Sequence, residues 1–293
     1  MVFFSVFLRT LGFLSALLVF IIFINVFMYF SNNLGKKQFV FTEGEQDSKN
    51  IIANINLNGP IFNNFSANVD NNFYNYINPK KVKSYLDELK ELQIKILIVN
   101  INSPGGTVSA TVELENIFRD FKKETNIKIY FFTKEILASG GYWVAMSADK
   151  IFATYGSIIG SIGVSGPKWF FYDKPVSLST GIFGQSIETE NGIEVFNQSA
   201  GQGKDLFNPY RRPQIDEIEH LQKTVNSIYE DFLLKVSKNR KIETSFLENE
   251  IGALIYNSNQ AKQNFLIDDI LDFNKLIKFI VKDNNFNNYK IYE

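Results

Sequence analysis

The feature that most constrains this chain is an uncharged apolar stretch near its N-terminus. Residues 10–35 contain no charged side chain, and the segment 11–30 is almost wholly apolar. At about 1.5 Å rise per residue, a helix of this length spans roughly 30 Å, the hydrocarbon thickness of a bilayer. The sequence therefore predicts a transmembrane helix over residues 10–32, preceded by a short N-terminal tail at residues 1–9.

A cleavable signal peptide is the alternative interpretation of this stretch. Its apolar region would be shorter and would end in a small-x-small cleavage site. Here the run ends in Val26-Phe27-Met28-Tyr29-Phe30, which is bulky throughout, so an uncleaved signal anchor is favoured. Arg9 lies on one side of the stretch and Lys36 and Lys37 on the other. The positive-inside rule therefore does not settle the orientation.

The remaining chain alternates between strand and helix patterns after a polar linker at residues 33–49. Ile51–Leu57 alternates at period two, as a half-buried strand does. Helical spacing of apolar residues at 81–92, 107–123 and 213–236 is interleaved with strand-forming runs at 94–101, 127–132 and 150–154. Alternation of this kind predicts an α/β fold with a mostly parallel sheet packed by helices, in one domain over residues 50–285.

Composition excludes several classes of function. The net charge of −1 and the lack of a dense basic run give no case for nucleic-acid binding. Without cysteine the chain has no thiolate nucleophile and no cysteine-based metal site. The single histidine, His220, nearly closes off a multi-histidine metal site.

A serine between a strand and a helix is the first candidate for chemistry. Ser139 follows the predicted strand 127–132 and precedes Gly140-Gly141 and an apolar, helix-compatible run. A tight strand-to-helix turn exposes the serine Oγ, and glycines let a substrate backbone approach closely. The plainer interpretation is that Ser139 only caps the helix, and taken alone the turn favours that reading.

A second glycine turn repeats this arrangement. Asn102-Ser103-Pro104-Gly105-Gly106 follows the predicted buried strand 94–101 and precedes a helix. In a parallel sheet both turns lie at the carboxyl edge of the strands, where backbone N–H groups can line a crevice. In isolation this segment would be read as an ordinary connector.

A reactive serine needs a base. His220 lies on the predicted helix 213–236 without a nearby motif and is read as a solvated residue. A lysine can take the role if it loses its proton, which requires its reference pKa near 10.4 to fall by about 3 units, or about 4 kcal/mol. The residues alone do not distinguish Lys134, Lys150 and Lys204.

The ordered motifs resemble the signal peptide peptidase A family, membrane-anchored serine–lysine peptidases of bacteria with the Clp protease/crotonase fold. The resemblance covers roughly residues 50–275 and matches the short, single-domain form. It is carried by the two glycine turns and by six later segments, Ala148-Asp149-Lys150-Ile151, Gly160-Ser161-Ile162-Gly163-Val164, Ser199-Ala200-Gly201-Gln202-Gly203-Lys204-Asp205, Pro209-Tyr210-Arg211, Asn259-Gln260-Ala261 and Leu266-Ile267-Asp268.

The resemblance assigns roles to individual residues. It implies that Ser139 is the nucleophile, Lys204 the general base and Ser161 the serine that orients the base. It implies an oxyanion hole supplied or shaped by three glycines, Gly105, Gly106 and Gly140. The sequence departs from the family's pattern at residues 169–199, a longer segment for which we expect an inserted hairpin, and at Gly203, where bulkier residues are usual.

The resemblance also implies a function and a location. We expect cleavage of remnant signal peptides or other hydrophobic peptide segments with no metal and no cofactor, and assembly into a ring-like homo-oligomer. We also expect a single-pass anchor in the bacterial inner membrane with the catalytic domain on the periplasmic or outer side. Two alternatives remain open: a crotonase-type acyl-CoA enzyme, and a non-catalytic membrane scaffold of the same fold.

Overall fold

The N-terminal apolar stretch forms one long helix. The computed structural model describes residues 2–33, 39–64, 75–179 and 186–293. Helix α1 runs from Val2 to Asn33. Its segment Phe3–Met28 is long and apolar enough to cross a membrane, and none of it is buried against the rest of the protein.

The rest of the described chain alternates between strands and helices. The strands are β1 Phe41–Gly44, β2 Ile51–Asn58, β3 Ile96–Asn102, β4 Lys128–Thr133, β5 Ile136–Ala138, β6 Lys150–Ala153, β7 Ile158–Gly160, β8 Ser177–Ser179, β9 Ser186–Glu188, β10 Ile255–Asn257, β11 Asp269–Ile270 and β12 Lys290–Tyr292. The helices are α2 Pro79–Glu91, α3 Val108–Thr125, α4 Gly140–Ala145, α5 Ile215–Arg240, α6 Thr244–Phe246 with a π-helical turn at Leu247–Ile251, α7 Ser258–Gln263 and α8 Phe273–Asp283.

A seven-stranded sheet organises the domain, in the order β1-β12-β2-β3-β4-β6-β11. All neighbours pair in parallel except β1 and β12, which are antiparallel. The centre of β3, Ile96 to Ile101, is buried along its whole length, as expected for a parallel strand covered on both faces. The prediction of an α/β fold with a mostly parallel sheet is confirmed.

Helices cover both faces of this sheet. On one face Phe118 of α3 packs edge-on against Phe131 of β4, with ring centroids 5.4 Å apart. On the other face Leu276 and Ile280 of α8 join a separate buried cluster with Phe132 of β4. The alternation of side chains along each strand therefore divides the apolar residues between two cores.

A small second sheet positions the candidate site. It has three strands in the order β10-β7-β5, with β5 parallel and β10 antiparallel to β7. Ala138, the last residue of β5, lies opposite Gly160, the last residue of β7. Ser139 and Ser161, which immediately follow these two strands, are therefore brought to the same edge of the sheet.

Strands also occur in the predicted linker and in the predicted inserted segment. The predicted linker at 33–49 includes β1, and Phe39 before it is buried. The predicted hairpin within 169–199 is present as β8 and β9, which pair antiparallel. The glycine turn expected at residues 181–184 lies outside the described residues.

Candidate active site

Ser139 occupies a sharp turn between β5 and α4. Its backbone has φ +50° and ψ −125°, a combination that residues with a Cβ rarely adopt. The turn is held by hydrogen bonds from the Ser139 N–H to the carbonyl of Gly160 at 2.9 Å and from the Trp143 N–H to the carbonyl of Ser139 at 2.9 Å. A strained strand-to-helix turn of this kind presents a side-chain oxygen outside the sheet edge.

The second glycine turn touches the first. An added Cβ at Gly105, where φ is +110°, would lie 2.8 Å from the Cβ of Ser139. An added Cβ at Gly106 would lie 2.0 Å from the carbonyl oxygen of Ile61. The absence of side chains at both positions is therefore required for the two turns and Ile61 to pack together.

Two backbone N–H groups face the space beside Ser139. The bridge to Ile61 uses the carbonyl of Gly105 and the N–H of Thr107, which leaves the N–H of Gly106 on the opposite side. The Gly106 nitrogen lies 3.2 Å from the Cβ position at Gly140. Gly140 is the first residue of α4, so its own N–H has no acceptor within the helix. Paired donors of this kind can stabilise an oxyanion.

Ser161 lines the same space as Ser139. It also has a positive φ, +52°, and it follows Gly160 with φ +122°. Its N–H donates to the carbonyl of Leu254 at 2.7 Å, which ties the end of β7 to the segment before β10. The three residues Gly106, Ser139 and Ser161 thus line one cleft of about 270 Å³.

The rest of the cleft combines apolar and polar groups. Its further lining includes two aromatic rings, Trp143 of α4 and Phe232 of α5, whose centroids are 4.7 Å apart. Val108, Val164 and Ala253 add apolar side chains, and Thr111 and Ser165 add hydroxyl groups. A cleft with two aromatic rings in its lining can take an apolar side chain beside the Ser139 hydroxyl.

A buried carboxylate supports the aromatic wall. The fully buried Glu115 accepts a hydrogen bond from Trp143 Nε1 at 2.8 Å, and it pairs with Arg119 Nε at 2.5 Å and Lys235 Nζ at 2.5 Å. The two cations compensate the carboxylate that the interior would otherwise disfavour. The hydrogen bond to Glu115 therefore fixes the orientation of the Trp143 indole.

Lys204 does not line this cleft. It lies in a run of turns at residues 201–207, and its side chain is exposed. The neighbouring residues of the run line a separate cavity of about 670 Å³ together with the first turns of α5. Within one chain the structure therefore brings together Ser139, Ser161 and the glycines, and it leaves Lys204 outside the group.

The sequence around the cleft matches a known peptidase family. Residues 121–287, more than half of the chain, match the sequence profile of peptidase family S49. The chain belongs to peptidase family S49. A putative signal peptide peptidase SppA of Enterococcus faecium is 30% identical over 252 residues, which cover 84% of this chain and 66% of that protein. The resemblance to the signal peptide peptidase A family is thereby confirmed.

Two further proteins show how far this S49 chain extends over its relatives. A putative protease of Methanocaldococcus jannaschii is 29% identical over 218 residues, which cover 73% of this chain and 65% of that protein. The chain thus spans slightly less than two thirds of the length of the Enterococcus faecium and Methanocaldococcus jannaschii relatives. A solved membrane-bound stomatin-specific protease is 14% identical, with a TM-score of 0.46, over 79% of this chain and 84% of that chain.

The other candidate bases of this S49 chain point away from Ser139. The ammonium of Lys134 lies 5.5 Å from the ring centre of Phe273 in α8, and that of Lys150 lies 3.5 Å from an Asp283 carboxylate oxygen. His220 is exposed on α5 and lines the cavity beside residues 201–206. None of these three residues lines the cleft.

Sequence reasoning missed the residues that shape the cleft from α3 and α5. Thr111 of α3 is buried beside Gly140, and its hydroxyl has no hydrogen-bond partner among the described residues. Phe232 lies far along the sequence from Ser139. Both residues fit an ordinary amphipathic helix pattern, so no sequence signal marks them as part of an S49 site.

Proposed function

We propose that this chain is a membrane-anchored serine endopeptidase with a serine–lysine dyad. The observation that carries the proposal is the position of Ser139, on a strained turn that lines the cleft, beside the N–H groups of Gly106 and Gly140, which have no acceptor among the described residues. This arrangement offers a nucleophile and an oxyanion hole at one point. Membership of family S49 supports peptide bonds as the target.

The reaction follows from these groups. The uncharged amine of Lys204 accepts the proton of Ser139 while Oγ attacks the scissile carbonyl carbon, and the N–H groups of Gly106 and Gly140 hold the oxyanion. The proton passes to the leaving amine as the peptide bond breaks, which leaves an acyl-enzyme. The oxygen of a water molecule then attacks the acyl carbon while the same lysine takes its proton, and the lysine returns that proton to Oγ as the bond to the acid breaks. Ser161 orients the amine, and Gly105 lets the two turns meet.

Assembly accounts for the exposed position of Lys204. The N-terminal half of α5 beside it carries Ile215 and Ile218, which are 77% and 51% exposed. Apolar residues left in water on a helix face are characteristic of surfaces that another chain covers. We infer that the chain forms a ring-like homo-oligomer in which Lys204 reaches the Ser139 of a neighbouring copy.

The substrate and location follow from the anchor and the cleft. Helix α1 would hold the cleft close to a bilayer, and its apolar wall suits hydrophobic peptide segments such as remnants of signal peptides. The name of the Enterococcus faecium relative, a putative signal peptide peptidase, supports this substrate. We place the catalytic domain on the periplasmic or outer side of a bacterial inner membrane.

The proposal is tested with the full-length protein in detergent micelles and a fluorogenic hydrophobic peptide. We expect Ser139→Ala and Lys204→Ala each to lower kcat/KM by about 10³-fold or more, because a nucleophile and its base act as one unit. Lys134→Ala removes a lysine on the α8 side of the sheet and should leave kcat/KM unchanged. Ser139 should also react with a fluorophosphonate probe.

Two results would contradict the proposal. Full peptidase activity in Ser139→Ala would show that Ser139 is not the nucleophile. Full activity in Lys204→Ala would show that Lys204 is not the base. Turnover of an acyl-CoA ester that survives Ser139→Ala would instead favour a crotonase-type enzyme. A chain with neither activity nor probe labelling would be a scaffold.

A further inference from the structure

The segment that carries Lys204 has no helix or strand of its own to fix it. Three consecutive turns are closed by backbone bonds such as Lys204 N–H to the carbonyl of Gly201 at 3.1 Å and Leu206 N–H to that of Gly203 at 3.2 Å. Gly201, Gly203 and Phe207 all have positive φ. The direction of the lysine side chain must therefore be set by contacts that tie these turns to the body of the protein.

One guanidinium group makes these contacts. Arg211 binds the carboxylate of Asp205, the residue after Lys204, through Nε at 2.6 Å and Nη2 at 3.0 Å, and Nη2 also lies 3.3 Å from the Asp205 carbonyl. It binds the carboxylate of Glu217 through Nη1 at 2.8 Å and Nη2 at 2.6 Å. We call Asp205, Arg211 and Glu217 the Arg211 clamp.

The Arg211 clamp ends on the first turn of α5. Glu217 is the third helical residue, and its carboxylate also accepts the N–H of the capping residue Gln214 at 2.8 Å. The side chain of Glu217 is 11% exposed and that of Arg211 25%. A two-carboxylate arrangement that is shielded from water holds a fixed geometry better than an isolated surface pair.

An aromatic stack links the same clamp to the wall of the cleft. The guanidinium carbon of Arg211 lies 5.2 Å from the ring centre of Trp169, and Trp169 Nε1 donates to the carbonyl of Asn208 at 3.1 Å. The rings of Trp169 and Phe207 are 5.2 Å apart. Trp169 follows Val164, which lines the cleft, on the same stretch of chain.

We propose that Arg211 is a positioning residue for the general base, acting through Asp205 to hold the Lys204 turn against α5 and the cleft-wall segment. This inference rests on the proposed role of Lys204. Neighbouring Arg212 supplies the contrast: its guanidinium stacks over Phe171 at 4.6 Å, and no ion pair of the described residues involves it.

The first test compares Arg211→Ala with Arg212→Ala in the full-length, detergent-solubilised protein. We expect Arg211→Ala to lower kcat about 10- to 100-fold with KM within about twofold, since a displaced base slows chemistry rather than binding. Arg212→Ala should keep kcat within about twofold of wild type. Added guanidinium ion at non-denaturing concentration should restore part of the kcat of Arg211→Ala and none of that of Lys204→Ala.

The second test asks whether Arg211 acts through Asp205. Asp205→Asn keeps the size of the side chain and should lower kcat as Arg211→Ala does, so the test stands even if Arg211→Ala does not fold. The double variant should be no worse than Arg211→Ala alone within about twofold, because both changes break one connection.

The outcomes separate this inference from the proposed function. Wild-type kcat in Arg211→Ala beside an inactive Lys204→Ala would overturn the positioning role alone. Losses that multiply in the double variant, a rise in KM alone, a failure of guanidinium rescue or dissociation of the oligomer by Arg211→Ala would also overturn it. Full activity in Lys204→Ala would instead overturn the proposed function itself.

Discussion

At the scale of single residues, the candidate nucleophile has a backbone conformation that is unfavourable for any residue other than glycine. Ser139 has a positive φ, and its neighbour across the small sheet, Ser161, has one as well. Holding a non-glycine residue in such a region costs about 1–3 kcal/mol, which the surrounding structure must supply. The close packing of Gly105 and Gly140 around the Ser139 turn provides this stabilising free energy.

This strain predicts an unusual order of stabilities. We expect Ser139→Gly to melt at a higher temperature than Ser139→Ala, by about 2–4 °C, because glycine adopts the positive φ without a Cβ clash. Both variants lack the hydroxyl and should be inactive. Differential scanning calorimetry of the two proteins measures the difference.

A glycine substitution within α4 serves as the control, and we expect it to change the melting temperature in the opposite direction. Ala145→Gly places glycine at the last residue of this helix and should lower the melting temperature, since glycine is disfavoured in a helix by about 1 kcal/mol. A lower melting temperature for Ser139→Gly than for Ser139→Ala would mean that the turn is not strained.

At the scale of elements, α5 joins the two halves of the candidate site. Its later residues Phe232, Leu233 and Val236 are buried, and Phe232 lines the cleft. Its first turn instead holds the Arg211 clamp. One helix therefore fixes the cleft wall at one end and the Lys204 segment at the other.

The clamp makes the start of α5 sensitive to acid. Hydrogen bonds from Arg211 hold the pKa of Glu217 and of Asp205 below their ordinary values, and the N–H of Gln214 lowers that of Glu217 further. A carboxyl whose folded pKa is depressed stabilises the fold above its unfolded pKa, about 4.3 for glutamate. That contribution is lost as the pH falls from there through the lower folded pKa.

We therefore expect Glu217→Gln to lower the melting temperature at pH 7, where the clamp is fully ionised. The difference from wild type should shrink as the pH falls below about 4, because the carboxyl is protonated first in the unfolded chain and then, below its lower folded pKa, in the folded protein as well. Glu219→Gln, at an exposed position of the same helix, should match wild type at both pH values. A difference for Glu217→Gln that is constant with pH would contradict this account.

At the scale of the whole molecule, the sequence predicts what local patterns can specify. The buried run of β3 and the spacing of α3 have a strong period, so the central layers are predicted within a few residues. Strand β12 is different. It lies between β1 and β2 in the sheet, although these two strands are more than 200 residues earlier in the sequence. No local sequence pattern predicts this pairing.

The candidate site divides in the same way. The turns at Ser139 and Gly105 carry their own glycine signals. The expectation that one parallel sheet brings them together is wrong, because β5 and β3 belong to different sheets, which a parallel bridge between Ser103 and Leu137 joins. The position of Lys204 depends on ion pairs of Arg211 and on surfaces such as Ile215 that a single chain leaves open. Contacts of this kind are set by tertiary and quaternary geometry, which spacing along the sequence does not encode.

The separation of cleft and lysine within one chain leads to a prediction about mixtures. If Lys204 reaches the Ser139 of a neighbouring copy, Ser139→Ala and Lys204→Ala are defective in different halves of the same site. In a ring of head-to-tail contacts assembled from equal amounts of both, a site works when a Lys204→Ala chain is followed by a Ser139→Ala chain. About a quarter of the sites should then be active.

Co-expression of the two full-length variants with different affinity tags, followed by tandem purification, yields mixed assemblies for a peptide-hydrolysis assay. Activity should return in these assemblies and stay absent when the separately purified variants are combined without exchange of subunits. Mixed assemblies with no activity would place both dyad residues in one chain, and the turns at 201–207 would then have to move toward the cleft rather than toward a neighbour.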